Sequence, residues 1–229
     1  MTRRLLVLLG TSCLLFAQDA KQKVRVVHTE RVPFPPGGLL RVQNSLGDLS
    51  VEGWDRPDAE ITTIKATADL YDKSDRPKGS HKLDQVRIST ARQGGEVVVT
   101  TAYPSGSRRW RATGIDLEYH IKVPMSAKLA VRHGSGEVHV DNLTSDMVIR
   151  VLNGGMTLFL PPEGSYGIDA KSDIGEVISQ FPGRHRRLGL VGHRFMQASG
   201  THQLHLRASY GDIMIFKIQK SPTPSPITQ

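Results

Sequence analysis

Apolar and polar residues alternate with a period of two along most of the chain, in runs such as KVRVVHTE, LLRVQN, DLSVEGW, EITTIKATA, QVRIST, EVVVTTAY and DLEYHIKVP. Such alternation sets one face of a strand against a core and the other in water. Glycine, proline and aspartate clusters, PPGG, DRPD and RQGGE among them, separate the runs. No dozen residues repeat apolar positions at helical spacing, so the pattern predicts an all-β chain. QVRISTARQGGEVVVTTA reads as a β-hairpin turning at Gly94 and Gly95. The polar, breaker-rich stretch 69–81 reads as an exposed loop.

GSGEVHVDN, residues 134–142, has the glycine content of a loop that cradles a ligand. Phosphate-binding loops run from a strand into a helix, whereas Glu137, Val138, His139 and Val140 continue a strand. A glycine with apolar residues two and usually four positions later recurs in GDLSV, GGMTL, GEVIS and GDIMI. The five glycines are Gly47, Gly136, Gly154, Gly175 and Gly211, and the last four are spaced by 18, 21 and 36 residues. Spacing of roughly 18 to 20 marks stacked supersecondary units, and 36 is two such steps with a degenerate coil between. In GEVHVDNLTSDMVIRVLN a strand over 137–140, a turn over 141–146, a second strand over 147–152 and a corner at Gly154 make one two-strand coil. Stacked coils would place Val138, Met156, Val177 and Ile213 in one buried column and Val140, Leu158 and Ile215 in its neighbour. The glycines would sit at corners where φ is positive or a Cβ does not fit. GSGEVHVDN is therefore read as a turn and not as a site.

These residues also carry a resemblance. DLEYHIKVPMSAKLAVRHGSGEVHVDNLTSDMVIRVLNGGMTL, then SYGIDAKSDIGEVIS and a closing LRASYGDIMI, resembles the bacterial family described as putative adhesins, a β-strand-repeat domain of unknown function. NSLGDLSVEGWD is similar to that family's first repeat, and the resemblance covers residues 39–218. It implies a right-handed β-solenoid-like stack and a place in the cell envelope. The expected organisation is a signal peptide over 1–17, hairpin and meander strands over 18–125, solenoid repeats over 126–219, and a Pro/Ser/Thr-rich tail over 220–229. An antiparallel β-sandwich is the alternative architecture.

Arg3 and Arg4 precede an apolar run over 5–16 that ends beside Ala17, the form of a secretory signal peptide. Gly10, Thr11 and Ser12 interrupt the run, and it falls short of the ~20 apolar residues of a membrane-spanning helix, so no transmembrane anchor is expected. Cys13, the sole cysteine, lies within it. Gly10 and the continuing Leu14, Leu15 and Phe16 favour a discarded signal core over a lipidated cysteine. Cleavage after Ala17 leaves no cysteine, so packing and backbone hydrogen bonds would hold the exported chain together in the periplasm, outer envelope or extracellular space. The formal net charge of +8 suits acidic glycans, lipid headgroups or nucleic acid. An exported protein meets little nucleic acid, which leaves acidic polysaccharide or an envelope protein as partner.

Candidate chemistry is sparse. No G-x-S-x-G nucleophile turn is present. His202 and His205, three apart, fall on opposite faces of a strand and cannot share an ion, and the GSG turn breaks the register between His133 and His139. No catalytic residue, metal or cofactor is expected. Asp48, Glu137, Glu176 and Asp212 follow four of the repeat glycines; capping of turn amides suits them better than calcium, which takes more oxygen ligands per turn. Two basic stretches carry the binding expectation: SRRWR, with Arg108, Arg109, Trp110 and Arg111, and GRHRRLGLVGHR, with Arg184, Arg186, Arg187 and Arg194 in the degenerate coil. Arginine offers bidentate bonds to carboxylate, sulfate or phosphate, and an exposed tryptophan stacks on a sugar face.

The expected function is non-catalytic, adhesin-like binding or scaffolding through a solenoid face. A carbohydrate-active β-helix enzyme would instead converge acids and bases in a groove, and a structural spacer would show no contiguous basic patch.

Overall fold

The repeat glycines are the points at which the chain leaves one β-sheet and enters the other. The structure, a computed structural model, describes residues 20–104 and 114–219; the segment 1–17, the Arg108, Arg109, Trp110 and Arg111 cluster and the tail 220–229 lie outside them. In chain order the elements are β1 (Gln22–Pro33), β2 (Leu39–Leu46), β3 (Asp48–Trp54), β4 (Asp58–Tyr71), α1 (Arg76–Asp84), β5 (Arg87–Gln93), β6 (Glu96–Ala102) and β7 (Ile115–Pro124). Then come β8 (Lys128–Ser135), β9 (Val138–Asp141), β10 (Met147–Asn153), β11 (Met156–Leu160), β12 (Tyr166–Ile174) and β13 (Val177–Ser179). The chain closes with β14 (Arg184–Leu188), β15 (Gly192–Gln197), β16 (His202–Tyr210) and β17 (Ile213–Lys217).

Two mixed sheets result. The eight-stranded sheet has the order β1-β4-β7-β3-β9-β11-β17-β13, and the nine-stranded sheet β14-β15-β12-β16-β10-β8-β2-β6-β5. Their inward residues form one apolar core, so the all-β chain is sandwich-like. Five strand pairs, β2/β3, β8/β9, β10/β11, β16/β17 and β12/β13, give one strand to each sheet across a repeat glycine, and they stack in parallel in that order. Leu49 lies opposite Val138, Val138 opposite Met156, Met156 opposite Ile213 and Ile213 opposite Val177, all at most 5% exposed. Val140, Leu158 and Ile215 follow two residues on. Each such side chain contributes ~1.5–3 kcal/mol on burial, so the columns help to hold neighbouring strand pairs together.

Beyond β3, β7 pairs in parallel and β4 and β1 follow antiparallel in the eight-stranded sheet; beyond β2, β6 pairs in parallel and the antiparallel β5–β6 hairpin, turning at Gly94 and Gly95, ends the nine-stranded one. At the corners the backbones approach very closely. Gly154 has φ +135°, and a Cβ there would run into the carbonyl oxygen of Gly136, whose own Cβ position is filled by the carbonyl of Gly47.

Three features depart from the sequence reading. The stacking order is not the chain order, because β16/β17, last in sequence, inserts between β10/β11 and β12/β13. The stretch between Gly175 and Gly211 is consequently no degenerate coil: β14 and β15 form an antiparallel hairpin on the edge of β12. A coil must supply an apolar strand to each sheet, and RHRRL has none to give. Phe195 of β15 is the fully buried residue by which the hairpin docks. The stretch 69–81 is also not all loop, since α1 occupies its second half. Pro77 stands in the first turn, where its missing N–H is no loss. Leu83 is fully buried, and Lys65 Nζ donates to the carbonyls of Leu83 (3.0 Å) and Val86 (3.1 Å) near the helix C-terminus. A nine-residue helix anchored by one leucine shows no period to read.

Candidate functional site

Each coil strand of the nine-stranded sheet alternates inward and outward as it approaches its corner. Val131 and His133 point in and Arg132 out; Ile149 and Val151 in and Arg150 out; Leu206 and Ala208 in and Arg207 out; Ala170 and Ser172 in and Lys171 out. The parallel register then lines up the outward residues. Arg132 is opposite Arg150, Arg150 opposite Arg207, Arg207 opposite Lys171, Lys171 opposite Arg194 and Arg194 opposite Arg186. Six adjacent strands thus carry an unbroken file of cations. With strands ~4.8 Å apart the file runs roughly 24 Å.

Like charges directly opposite one another are destabilising by a few tenths to ~1 kcal/mol per pair, and only part of this row is neutralised. Asp169 Oδ1 accepts from Arg194 Nε at 3.0 Å, and its Oδ2 accepts from Arg207 Nη2. Asp173 pairs with Lys171 at 2.7 Å. Burial by itself would raise the Asp169 carboxyl, but the hydrogen bonds from Arg207 and Arg194 outweigh it and hold the group below the usual carboxylate range. Arg132, Arg150 and Arg186 have no acidic partner among the described residues. Hollows flank the Arg132–Arg150 pair on both sides: one of about 340 Å³ over Ala130, the other of about 350 Å³ beside Leu152 and Ser209.

The structure sorts the arginines singled out in the sequence. Arg186 and Arg194 belong to the row, and Arg184 lies two residues from Arg186 on the same face of β14. Arg187 alternates to the other face, where its Nη2 donates to the Leu190 carbonyl at 2.7 Å. Four members of the row, Arg132, Arg150, Lys171 and Arg207, were missed by reading basic runs. Their signal lies in the repeat itself: each stands four residues before a repeat glycine, Gly136, Gly154, Gly175 and Gly211 in turn, while Gln43 takes that place before Gly47.

Beneath the row, His133 is buried at 3% exposure, with Ser45 Oγ 2.9 Å from its Nδ1, and burial pushes the imidazole down to about 4. It is a neutral core group at physiological pH. Two of the acids after the glycines tie one corner to the next: Glu137 Oε1 accepts from the Gly155 amide at 3.1 Å, and Asp212 Oδ1 from the Glu176 amide at 2.7 Å. Among the described residues no three His, Cys, Asp or Glu side chains could share a metal ion, and no helix is long and apolar enough to cross a membrane.

No protein-family model and no curated protein matches the sequence. Solved structures described as adhesins are similar to it at low identity. A putative cell adhesion protein from Clostridium sporogenes matches with 14% identity and a TM-score of 0.47, over 84% of this chain and 100% of its own. A putative adhesin from Parabacteroides distasonis matches with 10% identity and a TM-score of 0.26, over 83% of this chain and 70% of its own. A putative adhesin from Bacteroides fragilis matches with 7% identity and a TM-score of 0.29, over 84% and 97%.

Proposed function

We propose that the protein is an exported, non-catalytic binding protein of the cell envelope, adhesin-like in action, that takes acidic polysaccharide along the basic row of its nine-stranded sheet. The observation that carries the reading is the register that aligns Arg132, Arg150, Arg207, Lys171, Arg194 and Arg186 on six neighbouring strands. A file of like charges weakens a sheet, and a linear polyanion laid along it reverses that cost. Five of the six cations are arginines, whose planar forks fit carboxylate and sulfate and which stay protonated throughout the physiological range. Such groups hold an anion well and transfer protons poorly, which favours binding over catalysis. Parallel crossover connections almost always take the right hand. On that ground we read the five stacked coils as a right-handed β-solenoid-like platform that spaces the cations. The role resembles that for which the solved neighbours are described, and it rests on the row and not on them.

The test is retention on heparin and on an acidic bacterial polysaccharide. Replacing Arg132 and Arg150 by Gln leaves folding nearly unchanged, since both are exposed and without ion pairs among the described residues. It should lower the salt needed for elution well below wild type, because several converging contacts are lost at once and all are screened within ~10 Å at 0.1 M. Arg92→Gln, on β5 away from the row, should elute with wild type. Elution of the double variant at the wild-type salt would overturn the proposal.

A further inference from the structure

The hollow over Ala130 is more than a gap in the row. Ala130 sits on the outer face of β8, opposite Arg41 on one side and Val148 on the other. Its methyl group is the low point among long neighbours, and with Leu39 and Val148 it makes an apolar floor. Lys128 stands two residues before it on the same strand, Arg132 two residues after, and Arg150 lies on the diagonal. Arg41 is held by Glu96 through two hydrogen bonds, 2.9 and 2.8 Å long, so it serves as a fixed wall. Lys128, Arg132 and Arg150 have no such acid among the described residues. One carboxylate joins the rim: Asp146, whose Oδ1 accepts from the Gln203 backbone amide at 2.9 Å and whose other oxygen has no donor among the described residues.

The geometry points to this hollow as the subsite that seats one carboxylated sugar ring of the polysaccharide, and so as the place where the protein distinguishes uronate-bearing glycan from polyanions in general; the assignment rests on the reading of the basic row. Its volume of about 340 Å³ lies at the small end of ligand pockets. A pyranose presents an apolar C–H face to Ala130, Val148 and Leu39, as sugars do to apolar surfaces. Its carboxylate meets the Arg132 and Arg150 forks, its hydroxyls reach Asp146, and Lys128 takes the charge of the next residue along. An acyl chain fits less well. The floor ends in cations at both ends, Lys128 and Arg132 being four residues or roughly 13 Å apart on β8, so a longer apolar chain would have to cross a charged rim. A hydroxyl acceptor in that rim also serves a sugar and not a lipid tail.

Two probes separate the subsite from the row: dextran sulfate, a polyanion without carboxylates, and trigalacturonate, a short chain of carboxylated sugars. Ala130→Leu fills the hollow without touching a charge. It should reduce trigalacturonate affinity about tenfold or more and leave dextran sulfate elution unchanged. Val148→Thr keeps the shape but makes the floor polar, and should act in the same direction should the leucine disturb the sheet. Arg132→Gln with Arg150→Gln should weaken both probes. Wild-type protein that retains dextran sulfate but fails to bind trigalacturonate overturns the subsite and leaves the row standing. So does an equal loss of both probes, or of neither, in both Ala130→Leu and Val148→Thr. A double arginine variant that still binds dextran sulfate as wild type does overturns the row instead.

Discussion

Gly154→Ala adds a single methyl group and should damage the stack severely. Gly154 has φ +135°, which an L-residue adopts only under strain of about 1–3 kcal/mol. The added Cβ would also be driven into the carbonyl of Gly136. That carbonyl cannot withdraw easily, because the Gly136 amide donates to Asn153 O at 3.0 Å and the carbonyl of Gly47 is packed behind it. Overpacking of this kind costs ~1–3 kcal/mol, so the two effects together destabilise by about 3–5 kcal/mol. For a domain of this size 1 kcal/mol moves Tm by roughly 2–4 °C, which puts the expected fall near 10 °C. Thermal unfolding followed by circular dichroism measures it. Gly95→Ala is the control: nothing lies within 4 Å of its added Cβ, and its backbone is not in the positive-φ region. The reasoning fails if Gly154→Ala unfolds within about 2 °C of wild type, or if Gly95→Ala loses as much.

Acidification should destabilise the protein through His133. Its folded pKa is depressed to about 4, so between that value and the ordinary 6.5 the unfolded chain binds the extra proton. Stability is then fully present above pH 6.5 and falls as pH drops, by about 2 kcal/mol between pH 7 and 4.5; urea titrations should show that loss in wild type and not in His133→Gln. Asp169→Asn removes the carboxylate that Arg194 and Arg207 share, and should raise the salt of elution from heparin while lowering stability by about 1 kcal/mol, the partial exposure of all three groups limiting the effect; elution at or below wild-type salt would contradict the row. Export predicts that mass spectrometry of the native protein finds an N-terminus at or near Gln18, and an intact Met1 in cytosolic extract would refute it.

The sequence by itself determined the local grammar. Period-two alternation identified strands, and five glycines at fixed offsets from apolar pairs identified the corners and the columns, because burial and corner sterics act on each repeat separately and leave their mark there. The same repeat held four of the six cations of the row, four residues upstream of Gly136, Gly154, Gly175 and Gly211, but a cation at an outward strand position looks like ordinary solvated surface until its neighbours are known. What the tertiary structure alone decided was the pairing. Met156, Ile213 and Val177 are interchangeable apolar residues, and each coil offers the same backbone edges, so nothing local states that β16/β17 stacks before β12/β13 or that β14 and β15 fold back as a hairpin. That order brings Arg207 between Arg150 and Lys171 and sets Arg194 and Arg186 at the end of the file. A chain stacked in sequence order, with a coil over 184–197, would have spread the same charges differently. Register between distant strands is a property of the assembled sheet, where hydrogen bonds and columns from the whole chain are satisfied together.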